Sequence, residues 1–193
     1  MKTSFYTFII ALLLMPFSLF AQTDHLKFKG VPIDGTLNQF VTKMQNAGFT
    51  KLGQDGKAVI LEGDFAGYKD CYIVVSTLDN KDLVKKIGVK FNNHDNWRSL
   101  ENNYQNLKKM LTKKYGAPFD VVEEFQSRYV NDDNDKYHEV IMNRCNFRTE
   151  WKTELGSIIL TIAFQRGIGS SVILGYIDKA NDAVIEQTAL DDL

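Results

Sequence analysis

Apolar residues recur every three or four positions between residues 36 and 48, which is the period of a helix with one buried face. The stripe consists of Leu37, Phe40, Val41 and Met44. Thr36 and Gln39 match a capping box at the start, and Gly48 is typical of the position just after a helix end. The pattern therefore predicts a first helix whose apolar stripe faces the core.

Strands are predicted on both sides of this helix. Residues 26–33 alternate apolar and polar side chains and lead into a turn at Asp34 and Gly35. Three strand-like runs follow the helix, at 58–65, 72–78 and 84–91. Only short turn segments separate these runs, and such connections favour antiparallel hairpins over parallel crossovers.

The same order of elements then begins again. Asp95 is a candidate N-cap, and Gly116 with Pro118 ends a second helical pattern. Its apolar face consists of Trp97, Leu100, Tyr104, Leu107 and Leu111. Strand-like runs follow at 119–129, 137–151, 157–165 and 171–177. Residues 181–193 form a short tail that either adds a final helix or frays.

Two passes of a helix followed by antiparallel strands predict an α+β fold with the helices packed on a mainly antiparallel sheet. Residues 22–193 are expected to form one α+β domain. An internal duplication of about 26–92 and 93–180 explains the repeated order, and the similar strand-turn-strand patterns of 61–76 and 146–161 agree with it. The alternative is a single α+β sheet with two helices on one face.

The first 21 residues have the order of a secretory signal peptide. Lys2 is the only charge before a long apolar run, which ends at the small residue Ala21 before polar Gln22. A transmembrane anchor is the alternative, but a span needs about 20 apolar residues, and this run is shorter and contains Pro16. We therefore expect residues 1–21 to be cleaved. The rest of the chain is then exported, periplasmic or secreted, without a membrane anchor.

Composition argues against several classes of partner and cofactor. The formal net charge of −1 lacks the basic excess typical of proteins that bind nucleic acid. Export to an oxidising compartment would allow Cys71 and Cys145 to form a disulfide, and two buried free thiols are the alternative. Two distant cysteines and three scattered histidines provide too few ligands for a metal site, so we expect no cofactor.

Catalytic motifs are scarce in this sequence. His25, His94 and His138 each lack a second histidine at metal-binding spacing, and an exposed turn position is expected for each. The acidic stretch 131–135 begins like a calcium loop but lacks its glycine and its final acidic residue, so a hairpin turn explains it better. The pairs Glu123 with Glu124, and Glu150 with Glu154, are carboxylates of the kind that glycoside hydrolysis requires, but nothing singles out a partner.

One predicted strand carries a candidate interaction surface. From residue 141 onward, one set of alternate positions is more apolar and includes Phe147 and Trp151. The other set carries Arg144, Arg148, Glu150 and Lys152. Because aromatic and arginine side chains often anchor interfaces, this set is a candidate site for a protein or a glycan. An ordinary solvated sheet face is the alternative.

Two segments resemble a group of uncharacterised exported bacterial proteins. The first runs from His25 to Thr36 with Phe40 and Gly48-Phe49 after it, and the second contains Trp97, Tyr104, Leu107, Leu111 and the sequence Lys114-Tyr115-Gly116-Ala117-Pro118. The repeated helix-then-hairpins order also looks like the tandem fold of β-lactamase-inhibitor-like proteins and of small outer-membrane-assembly lipoproteins. The lipidated cysteine of those lipoproteins is missing here. The second resemblance implies protein binding, whereas the first brings no activity with it, and a shared architecture does not fix function.

The sequence therefore predicts a non-catalytic binding module of the cell envelope, with an envelope or extracellular protein or glycan as its partner. The alternative is a secreted hydrolase of glycan or peptide that uses a carboxylate pair. A third interpretation is a spacer without a specific ligand. An enzyme should collect ionisable groups of shifted pKa in a concave pocket, whereas a binding module should present an open face.

Overall fold

A computed structural model describes residues 24–78, 81–183 and 190 of the chain. The predicted signal peptide, residues 1–21, lies outside the described residues, as does most of the tail that the sequence places after residue 180. Within the described part, no helix combines the length and the apolar character that crossing a membrane requires. The described residues form helices and an antiparallel sheet, which confirms the α+β prediction.

The described residues contain three helices and ten strands, and residues 179–183 are also helical. The helices are α1 (Leu37–Asn46), α2 (Trp97–Tyr115) and α3 (Asp133–Ile141). The strands are β1 (Lys27–Phe28), β2 (Val31–Pro32), β3 (Thr50–Asp55), β4 (Ala58–Phe65), β5 (Tyr68–Thr77), β6 (Val84–Lys90), β7 (Asp120–Phe125), β8 (Cys145–Thr153), β9 (Gly156–Gln165) and β10 (Gly169–Asp178).

Eight of the strands form one continuous antiparallel sheet in the order β3-β4-β5-β6-β10-β9-β8-β7. β3 to β6 are one set of consecutive neighbours and β7 to β10 are another, and the two sets meet where β6 pairs with β10. β1 and β2 form a separate two-stranded hairpin. The last strands of the two sets therefore lie side by side at the centre of the sheet.

Local capping explains where the two long helices begin. Thr36 Oγ1 accepts a hydrogen bond from the Gln39 amide at 3.3 Å, and Gln39 Oε1 accepts one from the Thr36 amide at 3.0 Å, so the predicted capping box is present. α2 is capped one residue later than the sequence indicated. There Asn96 Oδ1, and not Asp95, accepts from the Ser99 amide at 2.9 Å.

All three helices lie on one face of the sheet. Buried side chains alternate along the central strands, and the stripes of α1 and α2 join them in one hydrophobic core. α1 packs against β2, β3 and β5, whereas α2 and α3 pack over β8 and β9, with α2 also over β10. Among the described residues, no helix lies on the opposite face of the sheet.

Residues 133–141 form α3, so the strand predicted over 137–151 is wrong in its first part. The expected hairpin at 131–135 is also wrong. Asp132 is the N-cap of α3, and its Oδ1 accepts from the amides of Asn134 at 2.8 Å and Asp135 at 3.0 Å. Capping residues and turn residues are the same types, which is why the acidic stretch resembled a turn. The fold therefore has a third helix that the sequence pattern did not indicate.

Candidate binding surface

We call the sheet face opposite the helices the open face. The register of the strands fixes which of its residues are neighbours. Three rows of neighbouring residues cross β6, β10, β9 and β8. The first row is Lys90, Ile173, Thr161 and Arg148; the second is Gly88, Gly175, Ile159 and Glu150; the third is Lys86, Ile177, Ser157 and Lys152. We call these twelve residues the central field. It has isoleucines and glycines in its interior and a cation at each of its four corners.

Gly88 and Gly175 lie directly opposite each other on the two central strands. Neither has a positive φ, so the backbone does not require glycine at either position. A Cβ added at Gly88 would meet nothing within 4 Å, and one at Gly175 would meet only the Ile159 carbonyl oxygen at 3.8 Å. Glycine inside a strand weakens a sheet and often marks a place where a ligand or another backbone approaches closely. The pair leaves a recess at the centre of the open face.

The apolar part of the open face extends beyond the central field toward β4. Ile60 and Val74 continue the row of Gly88, and Tyr72 lies beside Lys90. Ile60 is 36% exposed and Tyr72 is 41% exposed. The Lys90 Nζ lies 5.6 Å from the centroid of the Tyr72 ring, within cation–π range. The recess is therefore bordered by exposed aliphatic and aromatic side chains.

Three of the four residues that the sequence proposed as an interaction surface lie together on β8. Arg148 donates to Glu150 at 2.6 Å and to Asp120 of β7 at 3.3 Å. The Lys152 Nζ lies 3.6 Å from the centroid of the Phe119 ring, and that phenylalanine is exposed. These side chains form the β8 border of the central field.

Arg144 belongs to a different part of the molecule. It precedes β8 and donates to both oxygens of Glu139 on α3, at 2.6 Å and 3.1 Å. The Glu139 side chain is only 5% exposed. Arg144 therefore compensates a buried carboxylate, and it connects the end of α3 to the start of β8.

Replacing two of the arginines should give different results. We expect Arg144→Ala to lower the free energy of unfolding by about 2 kcal/mol, because it leaves the buried Glu139 carboxylate without its ion-pair partner. Arg98→Ala, on α2, is the matched control and should cost less than about 1 kcal/mol, since its ion pair with Asp133 lies at the surface. Urea unfolding monitored by circular dichroism measures both. Equal losses would contradict this assignment.

The two cysteines do not pair in this fold. Cys71 on β5 and Cys145 at the start of β8 are both free thiols. Three strands, β6, β10 and β9, separate β5 from β8, which corresponds to about 19 Å between the two strands. A disulfide requires a Cα separation below about 7 Å, so the candidate disulfide is wrong for this fold. Burial raises the pKa of Cys71, and it raises the pKa of Cys145 to about 12, so both thiols are poor nucleophiles.

Three clefts in the described part of the chain are not lined by any of the carboxylates or histidines that the sequence suggested for catalysis. One of them, of about 480 Å³, lies between the start of α1 and the loops beside β3 and β5, and the other two have volumes of about 350 and 230 Å³. None of these three is lined by Glu150, Glu154 or His138. Burial raises the pKa of Tyr104 to about 12, but this phenol lies in the core and bonds to Thr149 at 2.6 Å. The Asp64 carboxylate does line the cleft of about 350 Å³, and its hydrogen bond to Lys69 lowers its pKa.

Three of the four carboxylates proposed from the sequence are held by neighbouring side chains. Glu123 and Glu124 point to opposite faces of β7, since neighbouring strand residues alternate. The Glu123 carboxylate accepts from Lys108 at 2.7 Å, and Glu124 accepts from Asn146 at 3.4 Å. Glu150 is held by Arg148. Among the described residues, no group of three or more His, Cys, Asp or Glu side chains could hold a metal ion.

None of the three histidines is in the exposed turn that was expected, although His138 is exposed. His25 Nδ1 lies 3.1 Å from the buried Asp178 carboxylate, so the first described residues are fixed to the end of β10. His94 has a half-buried ring whose Nε2 has no hydrogen-bond partner in the described part of the chain, and its backbone amide pairs with Ser170. His138 lies on α3 and is 57% exposed.

His94 should make the fold sensitive to acid. Burial lowers the pKa of His94 below its ordinary value of about 6.5, and the Asp95 carboxylate only partly opposes the shift. The unfolded chain therefore binds a proton at His94 before the folded chain does, so stability falls as the pH decreases through 6.5. Urea midpoints between pH 7.5 and 5 should fall more steeply for the unmodified chain than for His94→Gln. Identical slopes would show that His94 is not the responsible group.

Sequence reasoning missed the centre of the open face. Gly88, Gly175 and Tyr72 were assigned to strands, but no role was given to them. The available signal was a glycine in the interior of each of two strand-like runs, which weakens a strand without an obvious turn. Its meaning depends on register, because only the pairing of β6 with β10 brings the two glycines together.

Comparisons with known proteins identify no relative of this chain. The resemblance to uncharacterised exported proteins and to tandem inhibitor-like or lipoprotein folds therefore stays a prediction. No protein-family model matches the sequence, and neither a curated protein nor a solved structure matches it.

Proposed function

We propose that this chain is an exported, non-catalytic binding module that recognises a protein of the cell envelope or its surroundings through the open face. The observation that carries the proposal is the pair of opposed glycines, Gly88 and Gly175, at the centre of a sheet face without a helix in the described residues. Two larger side chains would give a more stable sheet there. Their absence favours close approach by a partner.

Export of residues 22–193 is part of this proposal. Cleavage after Ala21 would remove none of the described residues, and the first contacts after that point are strong. The Leu26 amide donates to Asp178 at 2.7 Å, and Ile33 accepts from Asn181 at 2.9 Å. Mass spectrometry of the protein recovered from the cell envelope or the medium should find a chain that begins at Gln22.

An internal duplication of about 26–92 and 93–180 is proposed as the origin of the open face. Each part has one long helix followed by four strands that are neighbours in the sheet, with α3 as an addition in the second part. The order of the strands reads inward from both edges and meets at β6 and β10. Joining two four-stranded parts in this way gives one eight-stranded sheet, whose open face is wide enough for a protein partner.

The hydrolase alternative has less support from the structure. Its requirement is a concave site with paired acids of shifted pKa. Three of the four candidate acids, Glu123, Glu124 and Glu150, instead bond to Lys108, Asn146 and Arg148. An open face bordered by Tyr72, Lys90 and Arg148 supports binding, because aromatic and arginine side chains anchor many interfaces.

Site-specific photo-crosslinking in the producing cell tests the proposed function. A photoreactive phenylalanine placed at Ile60, on the open face, should give a discrete crosslinked protein adduct. The same residue at Lys109, an exposed position on α2, is the matched control and should give none. Equal crosslinking at both positions, or none at Ile60, would overturn the proposal that the open face is the recognition surface.

A further inference from the structure

We infer that the partner of the open face is an acidic protein segment, with a large apolar side chain between two carboxylates. The inference rests on the proposed function and adds the chemistry of the partner. Its basis is the order of side chains along β6. Lys86, Gly88 and Lys90 are alternate residues of this strand and face the same side of the sheet. Cations therefore flank a recess.

The charge of the central field supports an anionic partner. It holds four cations and one carboxylate, Glu150, and Arg148 already neutralises that carboxylate at 2.6 Å. Lys86, Lys90 and Lys152 take part in none of the ion pairs among the described residues. The Lys90 Nζ donates to Asn93 Oδ1 at 2.7 Å, which is a neutral acceptor. Three positive charges are thus available to a partner.

Carboxylates elsewhere on the open face lie outside this frame. Glu62 is on β4, beyond Tyr72, and Asp120 and Glu124 are on β7, beyond β8. Asp120 is also an ion-pair partner of Arg148. The acidic edges of the open face and the cations at the corners of the central field would place the anionic groups of a partner over the central field.

The spacing along β6 specifies the pattern of the partner. Lys86 and Lys90 are four residues apart, which is about 13 Å in a strand. An extended segment has the same rise and the same alternation, so residues i, i+2 and i+4 project to one side. A segment with acidic residues at i and i+4 and a large apolar residue at i+2 therefore matches Lys86, Gly88 and Lys90. The apolar side chain enters the recess between the two glycines.

An anionic membrane surface is a less suitable occupant of this site. Membrane-binding faces project apolar side chains outward between their cations, so that these side chains enter the acyl boundary. Here the apolar centre is recessed, because Gly88 and Gly175 have no side chains. A recess accepts a protruding side chain from a partner, which an acidic polypeptide supplies.

Nuclear magnetic resonance with synthetic peptides tests the inference. The ¹⁵N-labelled protein is purified after any processing in the producing cell. It is then titrated with the acetylated and amidated peptide TETFTET. We expect progressive shifts of the Gly88 and Gly175 amide signals. Two comparison peptides, TKTFTKT with the charges reversed and TETGTET without the apolar side chain, should each bind at least tenfold more weakly.

Two variants and a matched control locate the interaction. Gly88→Leu should abolish peptide binding while leaving the fold intact, because a Cβ there meets only open space. Lys86→Glu should weaken binding about fivefold at low salt, whereas Lys109→Glu on α2 should not change it. Retention of the remaining amide pattern in Gly88→Leu confirms that loss of binding is not loss of folding.

Three results would overturn the inference. The first is equal binding of TKTFTKT at Gly88, which removes the acidic class but leaves the open face as a binding surface. The second is the absence of shifts at Gly88 and Gly175 with TETFTET; if Ile60 still crosslinks to a protein, only the partner chemistry is wrong. The third is that the protein sediments with phosphatidylglycerol vesicles, that Lys86→Glu abolishes this sedimentation, and that the acidic peptide gives no response. This result would identify a membrane surface as the partner instead.

Discussion

Asp178→Ala is expected to lower the free energy of unfolding by about 4 kcal/mol, a large part of the 5–15 kcal/mol typical of a domain. The Asp178 side chain is fully buried at the end of β10. Its carboxylate accepts from the Leu26 amide at 2.7 Å and from the Asn181 amide at 3.0 Å, and it contacts His25 at 3.1 Å. Alanine removes the acceptor for two buried amides, and neither can reach water in its place.

The loss of stability in Asp178→Ala should extend to both ends of the described fold. Asn181 donates through one amide group to the carbonyls of Ile33 at 2.9 Å and Val84 at 2.7 Å, so it connects three separate parts of the chain. Hydrogen exchange should therefore accelerate around Leu26 and Ile33 in Asp178→Ala.

The control for this prediction is Asp182→Ala. Asp182 is 43% exposed and pairs with Lys85 at 2.8 Å, so its loss should cost less than about 1 kcal/mol. Guanidinium unfolding curves for both variants give the comparison. A similar small effect of the two changes would mean that the buried carboxylate is not needed to fix the ends of the chain.

Trp97→Ala should lower the free energy of unfolding by about 3–5 kcal/mol. Trp97 opens α2 and is 1% exposed. Its ring lies edge-on to Phe125 of β7 and Phe147 of β8, with centroids 5.1 and 5.0 Å away. Lys136 of α3 lies over the same ring at 6.0 Å. One side chain thus joins two helices to the edge of the sheet.

Trp97→Phe separates packing from hydrogen bonding at this position. The indole Nε1 has no hydrogen-bond partner among the described residues, so phenylalanine loses volume but no hydrogen bond. We expect it to retain more than half of the stability that alanine loses. Relative to the unmodified chain, hydrogen exchange in Trp97→Ala should accelerate more in β7 and α3 than in β4 and β5. Uniform acceleration across the sheet would contradict a local role for this cluster.

Much of the core was predictable from the sequence, because periodicity reports burial. The stripe of α1 and the face of α2 are buried as the pattern indicated. Along β8, the more apolar set contains Phe147 and Trp151, and both are buried. Burial at these positions follows from the helical or strand period alone, and a short segment of sequence is enough to display that period.

Elements without a clear period were missed. β3 is an edge strand whose residues are mostly exposed and whose pairing with β4 shifts register between Lys51 and Gly53. An exposed strand with a bulge has no alternation to detect. α3 was mistaken for part of a strand, since its capping aspartate and acidic first turn have the composition of a loop.

Local periods and capping residues were enough to predict the two long helices, most of the antiparallel strands and the buried face of each. The residues that meet on the open face depend instead on long-range strand pairing. Gly88 and Gly175 are far apart in sequence and meet because β6 pairs with β10. The same pairing determines that Lys86 and Lys152 share a row, whereas Arg144 turns away to Glu139. Long-range register decides such neighbours, and no local pattern encodes it.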